Sequence, residues 1–212
     1  MAVAPLGRVR RAVARSMALS KSTIPHLYIS ADVDMSAALT RARDGIGPTA
    51  VMVHAIASAL RANPTLNGIW TTDGPDYSEV VSIGIAVSTE GGLVAPTLTD
   101  IGMSSASEIA DRLRGAVSRA RSAGLKASDL EPATFTLSNI GKYGVTSGTS
   151  IIVPPQLAIL CAGAVIDRPV AIHGTVAVRP TMSITISADH RGVDGAAACQ
   201  FAADFRRLLE AG

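Results

Sequence analysis

Thr181-Met182-Ser183-Ile184-Thr185-Ile186-Ser187-Ala188-Asp189-His190-Arg191-Gly192-Val193-Asp194-Gly195 is the stretch that decides the fold. Met182, Ile184 and Ile186 alternate with small polar residues, the period of a strand with one face on a core. Residues 196–209 then carry a helical pattern, and Gly195 permits a sharp turn between the two elements. A strand that hands over directly to a helix implies a mixed domain with helices packed on a sheet. The junction also holds an imidazole. A histidine is more often a surface or satisfied core residue, but His190 stands among Asp189, Arg191 and Asp194, where two rigid elements meet. Its ordinary pKa lies nearest neutrality, which suits proton transfer. The pattern points to a catalytic base.

Upstream, residues 157–165, 170–172 and 176–178 read as strands, the last two joined over His173-Gly174. Residues 151–153 read as a further strand before Pro154-Pro155. Phe135-Thr136-Leu137-Ser138 is a short strand that runs into the glycine-containing loop Asn139-Ile140-Gly141-Lys142-Tyr143-Gly144. A hydroxyl at that point is either an ordinary turn serine or a side chain aimed into a cleft. No Gly-x-Ser-x-Gly elbow surrounds Ser138, so a hydrogen-bond donor to a developing oxyanion fits better than a nucleophile.

Helices are expected over residues 5–21, from Asp34 or Ser36 to 43, over 49–62, and from Ser104 or Ser105 to 122. His54, inside the apolar third helix, reads as structural. Residues 27–33 alternate as a strand. Residues 80–88 and 93–98 read as two strands joined across Glu90-Gly91-Gly92, and residues 63–75 as a turn-rich patch.

Composition bounds the rest. The 212 residues suit one domain with a substantial core, with no internal repeat and no linker. Apolar residues make up 48% but aromatics only 3%, so small aliphatic side chains fill that core. With a mean hydropathy of +0.33, such a chain is expected to bury further surface between subunits. A net charge of +2 gives no reason to expect nucleic acid as a partner. Positive charge nonetheless gathers at Arg8, Arg10, Arg11, Arg15 and Lys21, as a solvated helix face or as an arm for a neighbouring subunit or an acidic ligand. Cys161 and Cys199 lack metal-ligand spacing and read as buried free thiols of a reducing, cytoplasmic compartment. The longest apolar runs, such as 157–166, are too short to cross a bilayer, and no signal peptide is evident.

Taken together, Phe135-Thr136-Leu137-Ser138-Asn139-Ile140-Gly141, Pro154-Pro155-Gln156 and Asp189-His190-Arg191-x-x-Asp194-Gly195 have the order and spacing of one family. The chain resembles the catalytic domain of the dihydrolipoamide acyltransferase component of 2-oxo acid dehydrogenase complexes. Arg10-Arg11-Ala12-Val13-Ala14-Arg15-x-Met17, Ile24-Pro25-His26 and Gly91-Gly92-Leu93-Val94-x-Pro96 carry the likeness over essentially the whole chain.

The resemblance implies a chloramphenicol acetyltransferase-like fold, a two-layer α/β (α+β) sandwich with a mixed sheet flanked by helices. It implies a homotrimer that builds a larger core with the decarboxylase and dihydrolipoamide dehydrogenase components. It also implies active sites between subunits, with His190 as general base, Ser138 as oxyanion donor and Asp194 as the aspartate of the same motif. Asp194 either orients the imidazole or orders the loop. Coenzyme A is then a substrate, the lipoyl group rides on a domain outside these 212 residues, and no metal is needed. Residues 1–5 read as a linker end or a truncation scar. Serine at position 138 suggests an acetyl or branched-chain acyl group rather than succinyl, with the Phe135–Gly141 run most like the branched-chain class. Another coenzyme A-dependent O- or N-acyltransferase of the same fold, or a non-catalytic core protein, are the competing readings.

Overall fold

The computed structural model describes residues 8–211, so residues 1–5 and the proposed helix start at Pro5 lie outside the described residues. Helix α1 (Arg8–Thr23) stops where Ile24-Pro25 removes a backbone donor, and β1 (His26–Asp34) follows. Next come α2 (Ser36–Arg41) and α3 (Pro48–Ala62), the latter opening on a proline whose missing N–H costs nothing there. The turn-rich patch contains a small hairpin, β2 (Gly68–Thr71) and β3 (Gly74–Tyr77), that composition concealed.

The two strands expected over 80–98 are each broken in two. β4 (Ile83–Ile85) and β7 (Thr97–Leu98) join the main sheet, while β5 (Val87–Thr89) and β6 (Gly92–Val94) form a separate hairpin across Glu90-Gly91. Ala86 and Pro96 are the switch points: the Ala86 N–H goes to Leu137 O at 2.9 Å, and Pro96 has no N–H to give. Helix α4 (Ala106–Arg121) begins on a capping box in which Ser105 and Glu108 satisfy each other's backbone N–H groups. β8 (Phe135–Asn139) carries Ser138.

The four strands expected after Leu157 are two. β9 (Ala158–Ile172) and β10 (Thr175–Asp189) run for 15 residues each and turn at His173-Gly174, both at positive φ as a tight hairpin requires. Asp167, Arg168 and Pro169 do not interrupt the pairing, because that half of the hairpin is largely exposed. α5 (Gly195–Glu210) closes the chain. Residues 151–153 are not a strand; they lie across the sheet as irregular backbone.

The main sheet has the order β1-β10-β9-β8-β4-β7, parallel only where β8 meets β4 and β9. Its register fixes two chemically different faces. Ile29, Ile186, Leu160, Leu137 and Ile85 form one row across five strands. They pack with Ile56, Leu60, Ile109, Phe201 and Phe205 from the helices to form the principal core. One residue along, Ser30, Thr185, Cys161 and Ser138 form the neighbouring row, on the other face.

That second face is covered in part by the end of α1 and by residues 144–157. Ser20 Oγ donates to Ile152 O at 2.7 Å, and Ser187 Oγ to Ser150 O at 2.7 Å. Ile24, Ile152 and Ile159 form a small second core. Gly163 permits the close approach: a Cβ there would lie 1.9 Å from Thr146 O.

The segment leading into β8 is held by a buried carboxylate. Asp129 accepts from Arg119 Nε at 2.7 Å, from Arg119 Nη2 at 2.5 Å and from the Lys126 N–H at 2.9 Å. Hydrogen bonds from Arg119 pull its pKa from 3.8 to about 2, against the cost of burial. A lowered folded-state pKa stabilises above the unfolded value, and the contribution is lost as pH falls through the folded one. The melting temperature of the wild-type chain should therefore drop more steeply between pH 3.8 and about 2 than that of Asp129→Asn. Parallel acid profiles in thermal unfolding would contradict this role.

Candidate active site

His190 stands at the end of β10, where the sheet gives way to α5. Its N–H donates to Pro25 O at 3.0 Å, and its side chain is exposed. The residues around it are tightly held. Asp189 is fully buried and accepts from Arg191 Nε at 2.9 Å and Nη2 at 2.5 Å. It also accepts from the Arg191 backbone N–H at 3.1 Å. A bidentate, charge-assisted pair of this kind is among the stronger polar contacts a protein makes, and the Asp189 hydrogen bonds raise the Arg191 pKa. The guanidinium carbon lies 4.1 Å from the centroid of the Trp70 ring.

Asp194 is the N-cap of α5. Its Oδ1 accepts from the Ala197 N–H at 2.9 Å, satisfying one of the donors a helix start leaves open. Its carboxylate makes no bond to His190 among the described residues. Of the two roles expected for it, ordering the loop is the one the geometry supports.

Ser138 is half-buried near the end of β8. It lines a cavity of about 370 Å³ walled by Val13, Met17, Leu93, Ile151, Val153 and Ile159. Among the described residues its hydroxyl has no hydrogen-bond partner, so it is free to donate into that space. Cys161 stands beside it in register, but burial pushes the thiol pKa up, which keeps it protonated and a poor competing nucleophile. Cys199 is exposed, contrary to the expectation of two buried thiols. The buried stripe of α5 runs Ala198, Phe201, Ala202, Phe205, Leu209, and position 199 falls off it.

The cavity also uses α1, which brings Val13, Ser16 and Met17 over Ser138. Arg10 and Arg15 remain on exposed surface of the same helix, and Lys21 packs over the Tyr28 ring. His26 ties this region together. Its Nδ1 donates to Ile24 O at 2.9 Å, and its Nε2 accepts from the Ile152 N–H at 3.2 Å. Both ring nitrogens are thus committed to structure. Sequence spacing gave no sign of the cavity walls, because they come from α1, β6, the loop before β9 and the start of β9 itself.

The register also measures how far apart the two expected catalytic groups are. Ser138 lies beside Cys161, and Cys161 beside Thr185, two strands away. His190 is five residues beyond Thr185. Two strand spacings of roughly 5 Å and five residues at about 3.3 Å put the two Cα atoms roughly 19 Å apart. Side chains cannot close that gap within one chain, and His190 is not among the residues lining the Ser138 cavity.

Among the described residues no helix is long and apolar enough to cross a membrane, and no cluster of metal-ligating side chains occurs.

Known proteins share this sequence pattern and fold. The family model for the catalytic domain of 2-oxoacid dehydrogenase acyltransferases covers residues 1–212. The dihydrolipoyllysine-residue acetyltransferase component of the pyruvate dehydrogenase complex of Rickettsia bellii is 31% identical over 98% of this chain and 52% of its own length. The chain thus spans about half the length of the curated relatives it matches.

Among solved structures, the dihydrolipoamide acetyltransferase of Azotobacter vinelandii superposes with a TM-score of 0.93 at 25% identity, over 100% of this chain and 92% of that one. The cubic core of the pyruvate dehydrogenase multienzyme complex gives the same TM-score, identity and coverage. Chloramphenicol acetyltransferase, at 14% identity and a TM-score of 0.60 over 92% of this chain and 94% of that one, shares the fold. The Azotobacter residues studied for their role in catalysis are a serine, a histidine and an asparagine, at the spacing of Ser138, His190 and Asp194. Asparagine caps a helix as well as aspartate does.

The cap assignment therefore separates two substitutions at one position. Asp194→Ala should lower stability by about 1 kcal/mol, whereas Asp194→Asn should leave it nearly unchanged. Equal loss in both variants by chemical denaturation would show that the charge, not the cap, is what matters.

Proposed function

We propose, from the premise that the chain belongs to the 2-oxoacid dehydrogenase acyltransferase catalytic-domain family, that it transfers an acyl group between a dihydrolipoyl thiol and coenzyme A. The observation that carries this reading is the free Ser138 hydroxyl opening into an apolar cavity, in a chain whose serine, histidine and capping residue keep the spacing of the Azotobacter trio.

His190 takes the proton from the coenzyme A thiol. The sulfur attacks the carbonyl of the acyl-dihydrolipoyl thioester, and the carbonyl oxygen gains charge as the new C–S bond forms. Ser138 Oγ donates a hydrogen bond to that oxygen. The tetrahedral adduct then collapses, the dihydrolipoyl sulfur leaves, and it recovers the proton from His190. Both thiols meet the same carbonyl, so no acyl-enzyme is needed.

The separation of His190 and Ser138 within one chain is resolved by assembly. Two copies side by side, one giving the imidazole and the other the hydroxyl, close each site, as a symmetric trimer repeats three times over. Cubic packing of such trimers, with decarboxylase and dihydrolipoamide dehydrogenase partners, is the corresponding larger assembly by likeness to the cubic core. The lipoyl group would arrive on a separate domain. Two unpaired cysteines suit a reducing compartment such as the cytoplasm.

The cavity favours an uncharged acyl group. Among the described residues its lining offers apolar side chains and hydroxyls but no cation, so the free carboxylate of a succinyl group would be desolvated without a partner there. Relatives named as acetyltransferases favour acetyl over the branched-chain assignment, although the cavity has room for either.

Assays with free dihydrolipoamide should show transfer from acetyl- and isobutyryl-coenzyme A and least from succinyl-coenzyme A. His190→Ala should lower kcat by about 10²–10⁴. Ser138→Ala should lower it by about 10²–10³. Assembly should persist in both. Near-normal turnover in the His190 variant would overturn the reading.

A further inference from the structure

Among the described residues the His190 side chain makes no hydrogen bond, ion pair or ring contact, so what aims it must act through the neighbouring backbone. The Asp189–Arg191 pair brackets it. Next in the chain is Gly192, whose O accepts from the Tyr77 hydroxyl at 2.9 Å. Pro75 and Leu157 crowd the same glycine so closely that a Cβ would meet them at 3.1 and 3.2 Å. The outer face of Arg191 lies on Trp70. Trp70, Pro75 and Tyr77 all belong to the β2–β3 hairpin, which is otherwise separate from the main sheet.

That hairpin is itself anchored. The Trp70 N–H donates to Pro155 O at 2.7 Å, and the Leu157 N–H donates to Gly68 O at 3.1 Å. Gly68 allows its two strands to close, since a Cβ there would lie 2.3 Å from Asp76 O. The hairpin is thus fixed at its base and touches the histidine loop at three points.

We propose that the β2–β3 hairpin braces the catalytic loop, with Trp70 and Tyr77 as positioning residues for His190 that act through Arg191 and Gly192. This rests on the acyl-transfer reading for its catalytic consequence but not for its structural one. A guanidinium held between a buried carboxylate and an aromatic face has few other places to go. Its backbone neighbours, including the His190 N–H bonded to Pro25 O, are held with it. Removing the ring frees Arg191 on one side and lets the loop sample orientations that miss the thiol.

The test combines steady-state kinetics with amide hydrogen exchange on the assembled chain. Trp70→Ala should lower kcat by about tenfold while KM for coenzyme A changes by less than about twofold. Exchange at the amides of His190, Gly192 and Val193 should quicken by about tenfold, with the β9–β10 ladder still protected. Trp70→Phe, which keeps an aromatic face, should restore both. Tyr77→Phe removes only a hydroxyl from an exposed side chain, should fold normally, and should give a smaller change in the same two readouts.

Wild-type kcat and unchanged exchange in Trp70→Ala would overturn the brace. If Trp70→Ala fails to assemble, Tyr77→Phe decides, and unchanged exchange around Gly192 in that variant overturns it. A wild-type chain without acyl transfer would sink the functional reading alone, since the exchange comparison still tests the hairpin.

Discussion

Strand register is the constraint on which everything else in this molecule depends. Because side chains alternate with a period of two, one pairing of β1, β10, β9, β8 and β4 sends Ile29, Ile186, Leu160, Leu137 and Ile85 to the helices together. The same pairing necessarily sends Ser30, Thr185, Cys161 and Ser138 to the opposite face. A slip of one residue in β8 would bury the Ser138 hydroxyl in the core and expose Leu137. The core therefore enforces the placement of the serine, and burying the row of large aliphatics contributes stability at about 25 cal/mol per Å² of apolar surface. The Ser138 hydroxyl is located by hydrophobic packing it takes no part in.

Register also sets the distance between the two groups of the proposed site. β9 and β10 carry the chain from the Ser138 row to the far end of the sheet before His190 appears, and nothing in the fold brings that end back. A site that needs both groups on one carbonyl can be completed only by another copy. The low aromatic content agrees with this. A core of alanine, valine, isoleucine and leucine leaves stability to be gained between subunits, and large apolar side chains such as Val176 and Val178 on the β9–β10 hairpin are well exposed in the isolated chain.

Local features were legible in the sequence wherever a physical signal is itself local. The alternation of Met182, Ile184 and Ile186, the helix start at Ser105 (one of the two serines expected), the His173-Gly174 turn and the start of α5 beside Asp194 all fall where residue chemistry puts them. Misreadings arose where tertiary context decides. Asp167–Pro169 looked like a break because polar residues and proline usually end strands, yet an exposed hairpin tolerates both. Ala86 and Pro96 looked like mid-strand positions, and only the choice of partner strand makes them switch points. The apolar run at residues 151–153 covers the sheet instead of joining it. The contact of Trp70 with Arg191 joins residues far apart in sequence, and no spacing could announce it. Of the candidate site, the strand ends and loops that carry Ser138, His190 and Asp194 were readable; the cavity walls, the hairpin contacts and Asp194 as a helix cap were not.

The claim that one copy supplies the imidazole and another the hydroxyl is open to one direct measurement. Chains carrying His190→Ala and chains carrying Ser138→Ala, each with only residual activity alone, are mixed during assembly and assayed for acyl transfer to coenzyme A. Random mixing should return about a quarter of wild-type activity per site, because a neighbouring pair that retains one intact histidine and one intact serine forms a complete site. Recovery no greater than the sum of the two variants alone would contradict a shared site, and with it the account of how this chain works.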